Sequence, residues 1–207
     1  MKIASMEAGP LGTNCYMVHN ETDALIFDPG GDSEEIIGYL TENKVEPKAI
    51  LLTHAHFDHI GGVDALRSYY NINVYLHDKE AEWLENPEYN GSTSFMGSRI
   101  VTKPAEHNLE KGRMAIGDIT FEVIHTPGHS PGSVSFIFHD QQFVISGDVL
   151  FNRGIGRTDL PGGNMNVLEQ SIRETLYQLP DSYTVYPGHG PATAIGNEKK
   201  HNPFFSI

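Results

Sequence analysis

Seven side chains able to hold a metal ion fall at four places in this sequence. The densest is Thr53-His54-Ala55-His56-Phe57-Asp58-His59. His129 stands within Thr126-Pro127-Gly128-His129-Ser130-Pro131-Gly132, Asp148 closes Ser146-Gly147-Asp148, and His189 is the centre of Pro187-Gly188-His189-Gly190-Pro191. With 11 histidines in 207 residues, His-x-His-x-Asp-His arises by chance with a probability of roughly 0.002. Imidazole and carboxylate without thiolate suit a catalytic zinc, iron or manganese. The single cysteine, Cys15, excludes a thiolate cage and any disulfide within the chain. Seven ligands are too many for one tetrahedral ion but divide well between two. His54, His56 and His129 are assigned to the first ion, Asp58, His59 and His189 to the second, and Asp148 to a bridge between them. Two ions about 3.5–4 Å apart can hold a water between them, lower its pKa and stabilise an oxyanion, which is hydrolytic chemistry. Asp58 and Asp148 are then the carboxylates closest to the reaction, Asp58 as a ligand rather than a free base. His19, His77, His107, His125, His139 and His201 have no such context and read as surface or structural residues.

The elements that must position these residues are short. Lys2–Glu7, Asn14–His19 and Ala24–Phe27 read as strands between Gly/Pro/Asn turns. Residues 32–43 read as a helix capped by Asp32 or Ser33, with Ile36, Ile37 and Leu40 on one face. Ala49–Leu52 is a continuous apolar run, as in a strand covered on both faces. Gly62–Tyr70 reads as a helix and Val74–Leu76 as a strand. Phe121–Ile124, Val134–Phe138, Phe143–Ile145 and Thr184–Tyr186 are four further strands. The clearest helix is Asn164–Gln178, with Met165, Leu168, Ile172, Leu176 and Leu179 at helical spacing and Pro180 beyond its end. Residues 86–106, rich in Asn, Gly, Ser and Pro, read as a long surface excursion. All four ligand clusters follow a strand directly, and loops at strand ends can converge on one cleft.

A net charge of −13 disfavours nucleic acid and anionic membrane, since counterion release needs a basic surface. It also disfavours a nuclease. Hydrophobic residues at 39% and charged residues at 20% are an ordinary globular mix,. The length suits one domain, residues 1–207. The first residues lack the apolar stretch of a signal peptide, and no run approaches the ~20 apolar residues of a membrane span. The expectation is a soluble, cytoplasmic protein acting on a small molecule.

The run from Thr53 to His59, with His129, Asp148 and His189 in order behind it, resembles the metallo-β-lactamase-fold superfamily. The match extends from Asp28-Pro29-Gly30-Gly31 to Pro187-Gly188-His189-Gly190-Pro191. Ser146-Gly147-Asp148, Gly154-Ile155-Gly156-Arg157-Thr158-Asp159 and the tail Asn202-Pro203-Phe204 are most similar to the short glyoxalase II-like hydrolases. The resemblance implies an α+β fold, an αβ/βα four-layer sandwich of two mixed sheets with helices outside and the metals at one sheet edge. It implies two divalent ions, zinc first with iron or manganese as alternatives, and hydrolysis of a hydroxyacyl thioester such as S-lactoylglutathione by a metal-bridging hydroxide. A thiol leaving group has a pKa of about 8.5 and departs without a strong general acid. Arg157 matches the basic residue that meets the substrate's carboxylate, with an ion pair to Asp159 as the competing role. Lys199 and Lys200 are further cations in the tail, and Asp28 is a candidate partner for a ligand histidine.

The longer glyoxalase II enzymes carry a helical C-terminal domain that completes the glutathione site, and this sequence stops at Ile207. The thioester is therefore better specified than the thiol. Asp148 stands where the commonest subclass of true β-lactamases has Cys, and His56 where flavodiiron proteins have Glu, which disfavours both. Persulfide dioxygenases of this fold, which use one iron and O₂, share the Gly-x-Gly-Arg-Thr-Asp segment and are the alternative. Their last histidine lies in a differently worded segment. A non-enzymatic metal-binding protein would not need all seven ligands.

Overall fold

The apolar runs become strands of two six-stranded mixed sheets. The computed structural model describes residues 1–97 and 99–207. The chain divides into two units, residues 1–109 with 115–120, and residues 110–114 with 121–207.

In the first unit, β1 (Lys2–Ala8) and β2 (Thr13–His19) form an antiparallel hairpin, and β3 (Asp23–Phe27) pairs antiparallel with β2. β4 (Glu46–Leu51), β5 (Asn73–Leu76) and β6 (His107–Asn108) continue the sheet in parallel. Parallel neighbours need crossovers. α1 (Ser33–Asn43) supplies one, and α2 (Phe57–Ile60) with α3 (Val63–Tyr70) supplies the next. Ile36 and Leu40 of α1 and Val63 and Leu66 of α3 pack on Ile26, Ile50 and Val74 of the sheet. β3 is buried along its whole length, as its unbroken Ala-Leu-Ile-Phe run requires,. Asp32 stands at the N-cap of α1 without capping it, because its carboxylate accepts the Gly9 N–H at 2.7 Å.

Residues 86–106 are not simply a surface excursion. After a 3₁₀ turn (Asp78–Trp83), α4 (Ser92–Met96) lies inside this stretch, and Asn90, Ser92 and Thr102 are buried. The Asn90 amide donates to the carbonyls of Trp83 and Ile100 at 3.1 and 3.0 Å, and Ser92 Oγ accepts the Ile100 N–H. Polar residues here satisfy backbone groups and let the segment fold inward.

The second sheet begins with β7 (Gly112–Ile116), β8 (Ile119–His125), β9 (Val134–Phe138) and β10 (Phe143–Gly147). A small hairpin, β11 (Leu150–Phe151) and β12 (Gly154–Ile155), follows. After α5 (Met165–Glu174) come β13 (Thr184–Pro187), β14 (Thr193–Ala194) and α6 (Ile195–His201). The sheet order is β14-β13-β10-β9-β8-β7, with β13 parallel to β10. Leu168 and Ile172 of α5 and Ile195 of α6 pack on Ile124, Ile137, Val144 and Val185. Asn164 caps α5 by accepting the Val167 N–H at 3.1 Å. The helix ends at Glu174 rather than Gln178, because β-branched Thr175 leaves helical geometry and the chain tightens into a 3₁₀ turn,. Among the described residues no helix is long and apolar enough to cross a membrane.

Candidate metal centre

Each of the four ligand clusters follows a strand: His54 and His56 after β4, His129 after β8, Asp148 after β10 and His189 after β13. Asp58 and His59 sit on α2, a four-residue helix too short for periodicity to reveal,. His54, His56, Asp58, His59 and His129 are buried, while Asp148 and His189 are partly open to solvent.

The first unit gathers four of the candidates. The His54 ring lies 4.7 Å from that of His56 and 4.1 Å from that of His59, centroid to centroid. The carboxylate of Asp28, directly after β3, organises them. It accepts the Thr53 N–H at 2.7 Å and the Thr53 hydroxyl at 2.6 Å, and lies 3.1 Å from His59 Nδ1. Since the Thr53 hydroxyl donates to Asp28, it accepts from His54 Nδ1 at 3.0 Å. That assigns the His54 proton to Nδ1 and makes Nε2 the atom that could ligate a metal, the support that metal-binding imidazoles ordinarily receive. Asp28 has φ 48°, a left-handed conformation that Asp tolerates better than most residues. Gly30 two residues on has no room for a Cβ, which would strike the Asp58 carbonyl. Asp58 Oδ2 accepts the Thr13 hydroxyl at 2.9 Å and lies 3.5 Å from His59 Nε2.

The second unit gathers the other three. Asp148 Oδ2 lies 3.6 Å from His129 Nε2 and 3.6 Å from His189 Nε2. His129 Nδ1 donates to the Arg157 carbonyl at 2.8 Å, which again presents Nε2. Separations of 3.5–3.6 Å are too long for hydrogen bonds between these groups. They are close to the ~3.3 Å between neighbouring ligands of a tetrahedral ion with bonds of about 2.0–2.1 Å. One carboxylate oxygen thus stands equidistant from two imidazole nitrogens. The residues therefore fit divalent ions in donor type and in spacing within each set.

Several supporting residues left no trace in the sequence pattern. Buried Glu80 accepts the Ala55 N–H at 2.6 Å inside the His-x-His loop, and Trp83 packs its ring 5.6 Å from that of His56. Both lie on a 3₁₀ turn of ordinary composition. Arg157 is half exposed and clasps Asp159 through two bonds, Nε–Oδ1 at 2.8 Å and Nη2–Oδ2 at 2.7 Å. Those bonds hold the Asp159 carboxyl down to about 2. Lys199 pairs with Asp181 at 2.6 Å. Cys15 is wholly buried, and its thiol is pushed up by burial and then by the Asp28 charge. Of the other histidines, His19 bonds Tyr39 at 3.0 Å and His139 bonds Glu122 at 2.7 Å, both structural roles.

A model of the metallo-β-lactamase superfamily matches residues 8–189, which include all seven candidates. A probable metallo-hydrolase of Bacillus subtilis is 48% identical over the full chain and 98% of its own length. The hydroxyacylglutathione hydrolase GloC of Haemophilus influenzae is 35% identical over 93% of this chain and 92% of its own. Among solved structures, BLEG-1, a B3 metallo-β-lactamase, superposes with a TM-score of 0.97 at 50% identity, covering both chains fully. TTHA1623 in a di-iron-bound form gives 0.87 at 38% identity over 98% of this chain and 100% of its own. ETHE1 from Myxococcus xanthus gives 0.80 at 28% identity over 98% and 84%. The chain belongs to the metallo-β-lactamase superfamily, and it has that superfamily's α+β fold.

Proposed function

We propose that the protein is a binuclear metal-dependent hydrolase of acyl thioesters of the S-lactoylglutathione type. In this reading His54, His56 and His129 would hold one ion, Asp58, His59 and His189 the other, and Asp148 would be shared. The observation that carries it is the Asp148 oxygen placed 3.6 Å from both His129 and His189, on a chain whose family match spans both sets. The relative named a hydroxyacylglutathione hydrolase supports the thioester. The di-iron neighbour makes iron as well supported as zinc.

When bound, two divalent ions supply an acidified water and a Lewis-acid contact for the developing oxyanion. The chain's own residues do the rest. Asp28, through the Thr53 hydroxyl, and the Arg157 carbonyl keep the ring protons of His54 and His129 on Nδ1, so that Nε2 would be the atom offered to an ion. Asp58, held by Thr13, is a ligand. The thiolate leaves unaided, since its conjugate acid has a pKa of about 8.5. Arg157 receives a substrate carboxylate by exchanging it for Asp159. An exposed pair of that kind contributes little to stability and yields to a competing anion.

The test is metal content per chain on protein purified without chelator, with S-lactoylglutathione hydrolysis followed on the same sample. Two ions and turnover are expected. Asp148→Asn should lose at least one ion and about 100-fold or more in rate. Full activity with two ions in that variant would sink the mechanism. β-Lactam hydrolysis is the second reading, favoured by the half-identical neighbour named a B3 metallo-β-lactamase, and a cephalosporin in the substrate panel separates the two. One iron per chain with oxygen uptake on a glutathione persulfide would instead establish the dioxygenase.

A further inference from the structure

The tail Asn202-Pro203-Phe204 and the acidic residue four positions before it take no part in the chemistry above. Glu198 is nonetheless a carboxylate with no exposed surface. Its Oε1 accepts from Thr193 Oγ1 at 2.6 Å and Asn197 Nδ2 at 2.9 Å, and its Oε2 from the Arg153 N–H at 3.0 Å and Asn202 Nδ2 at 2.9 Å. Asn202, also buried, donates to the Gly154 carbonyl at 3.1 Å and accepts the N–H groups of Phe204 and Phe205. Burying a carboxylate is costly unless donors surround it, and here four do.

Two of these bonds end on the β11–β12 hairpin. Arg153 at its tip has φ 57°, unusual for a non-glycine residue, and Glu198 and Asn202 grip the backbone on either side of its peptide link to Gly154. The residues of the second set are tied to the chain on or beside this hairpin. Asp148 stands just before β11, the Arg157 carbonyl just after β12 holds His129, and the Phe151 ring meets that of His189 edge-on at 6.2 Å.

We propose that Glu198 and Asn202 are positioning residues, which clamp the β11–β12 hairpin and thereby set His129 and Asp148 in ligating pose. The inference rests on the two-ion reading above. It is tested on protein stripped by chelation and titrated with Co²⁺, which accepts imidazole and carboxylate ligands and reports their geometry in its visible absorption. Asn202→Ala is expected to weaken Co²⁺ binding about tenfold and to alter the visible bands. Thr193→Ala, which removes one of the four donors to Glu198, is the milder variant should Asn202→Ala not fold. Thr193→Ser should restore affinity. Asp181→Asn, which breaks only the surface pair with Lys199 on the same helix, should leave the spectrum unchanged. If Asn202→Ala and Thr193→Ala melt earlier yet bind Co²⁺ with wild-type affinity and spectrum, the clamp is structural only and the inference falls. A wild-type protein that takes up no Co²⁺ would overturn the two-ion reading itself.

Discussion

At the scale of single residues, the candidate ligands are supported from beneath by neighbouring buried groups. Asp28 carries the most. Asp28→Ala leaves the buried Thr53 donors without their acceptor, removes the carboxylate 3.1 Å from His59 Nδ1 and places Ala at φ 48°. Metal affinity should fall about 10–100-fold, measured by competition with a chromophoric chelator. Unchanged affinity would remove Asp28 from the centre. Asp159 makes a second prediction. Its carboxyl lies below the ordinary range because Arg157 bonds its charged form. A depressed folded value adds stability that is present above the unfolded value of about 3.9 and is lost as pH falls through about 2,. Carbon-detected NMR titration should place Asp159 near 2, and Arg157→Ala should return it upward. A titration near 4 in the wild type would dissolve the pair in solution. The ligand types were legible because they are rare and clustered. Asp28 was half legible, as a carboxylate after a strand and before Pro-Gly-Gly, but Glu80 was not, since nothing local separates a buried carboxylate from an exposed one.

At the scale of elements, short loops convert strand ends into ligand positions, and glycine is what lets backbones meet there. A Cβ on Gly156 would strike the Asp148 carbonyl and crowd His129 Cβ. Gly156→Ala should therefore destabilise by about 1–3 kcal/mol in a denaturant titration and release metal more readily. Wild-type stability would show that the loop yields. The sequence pattern found β2, β3, β4, β9 and most of α5, where apolar runs or helical periodicity are long enough to read. It missed α2, with only four residues, and α6, where Ile195 is the sole apolar anchor and the buried groups are Gly196 and Glu198. It also read residues 86–106 as surface, because an asparagine that satisfies buried carbonyls has the same composition as a turn.

At the scale of the whole molecule, bound ions should contribute stability by mass action. A site held at a hundred times its Kd adds about 2.7 kcal/mol, or about 5–10 °C in melting temperature for a chain of this size. Chelation should lower the melting temperature by that order, and readdition of Zn²⁺ or Fe²⁺ should restore it. A melt indifferent to chelator would count against resident ions. The sequence by itself determined the donor types, their spacing, their places after four strands, and hence the family. It could do so because metal ligation needs particular side chains, and a dense run of them is improbable otherwise. Only the tertiary structure decided what holds each ring and carboxylate: Asp28 reaching Thr53 across 25 positions, the Arg157 carbonyl reaching His129 across 28, and Glu198 gripping Arg153 across 45. These supports are backbone carbonyls and common polar side chains, chosen by close approach in the folded chain rather than by residue type.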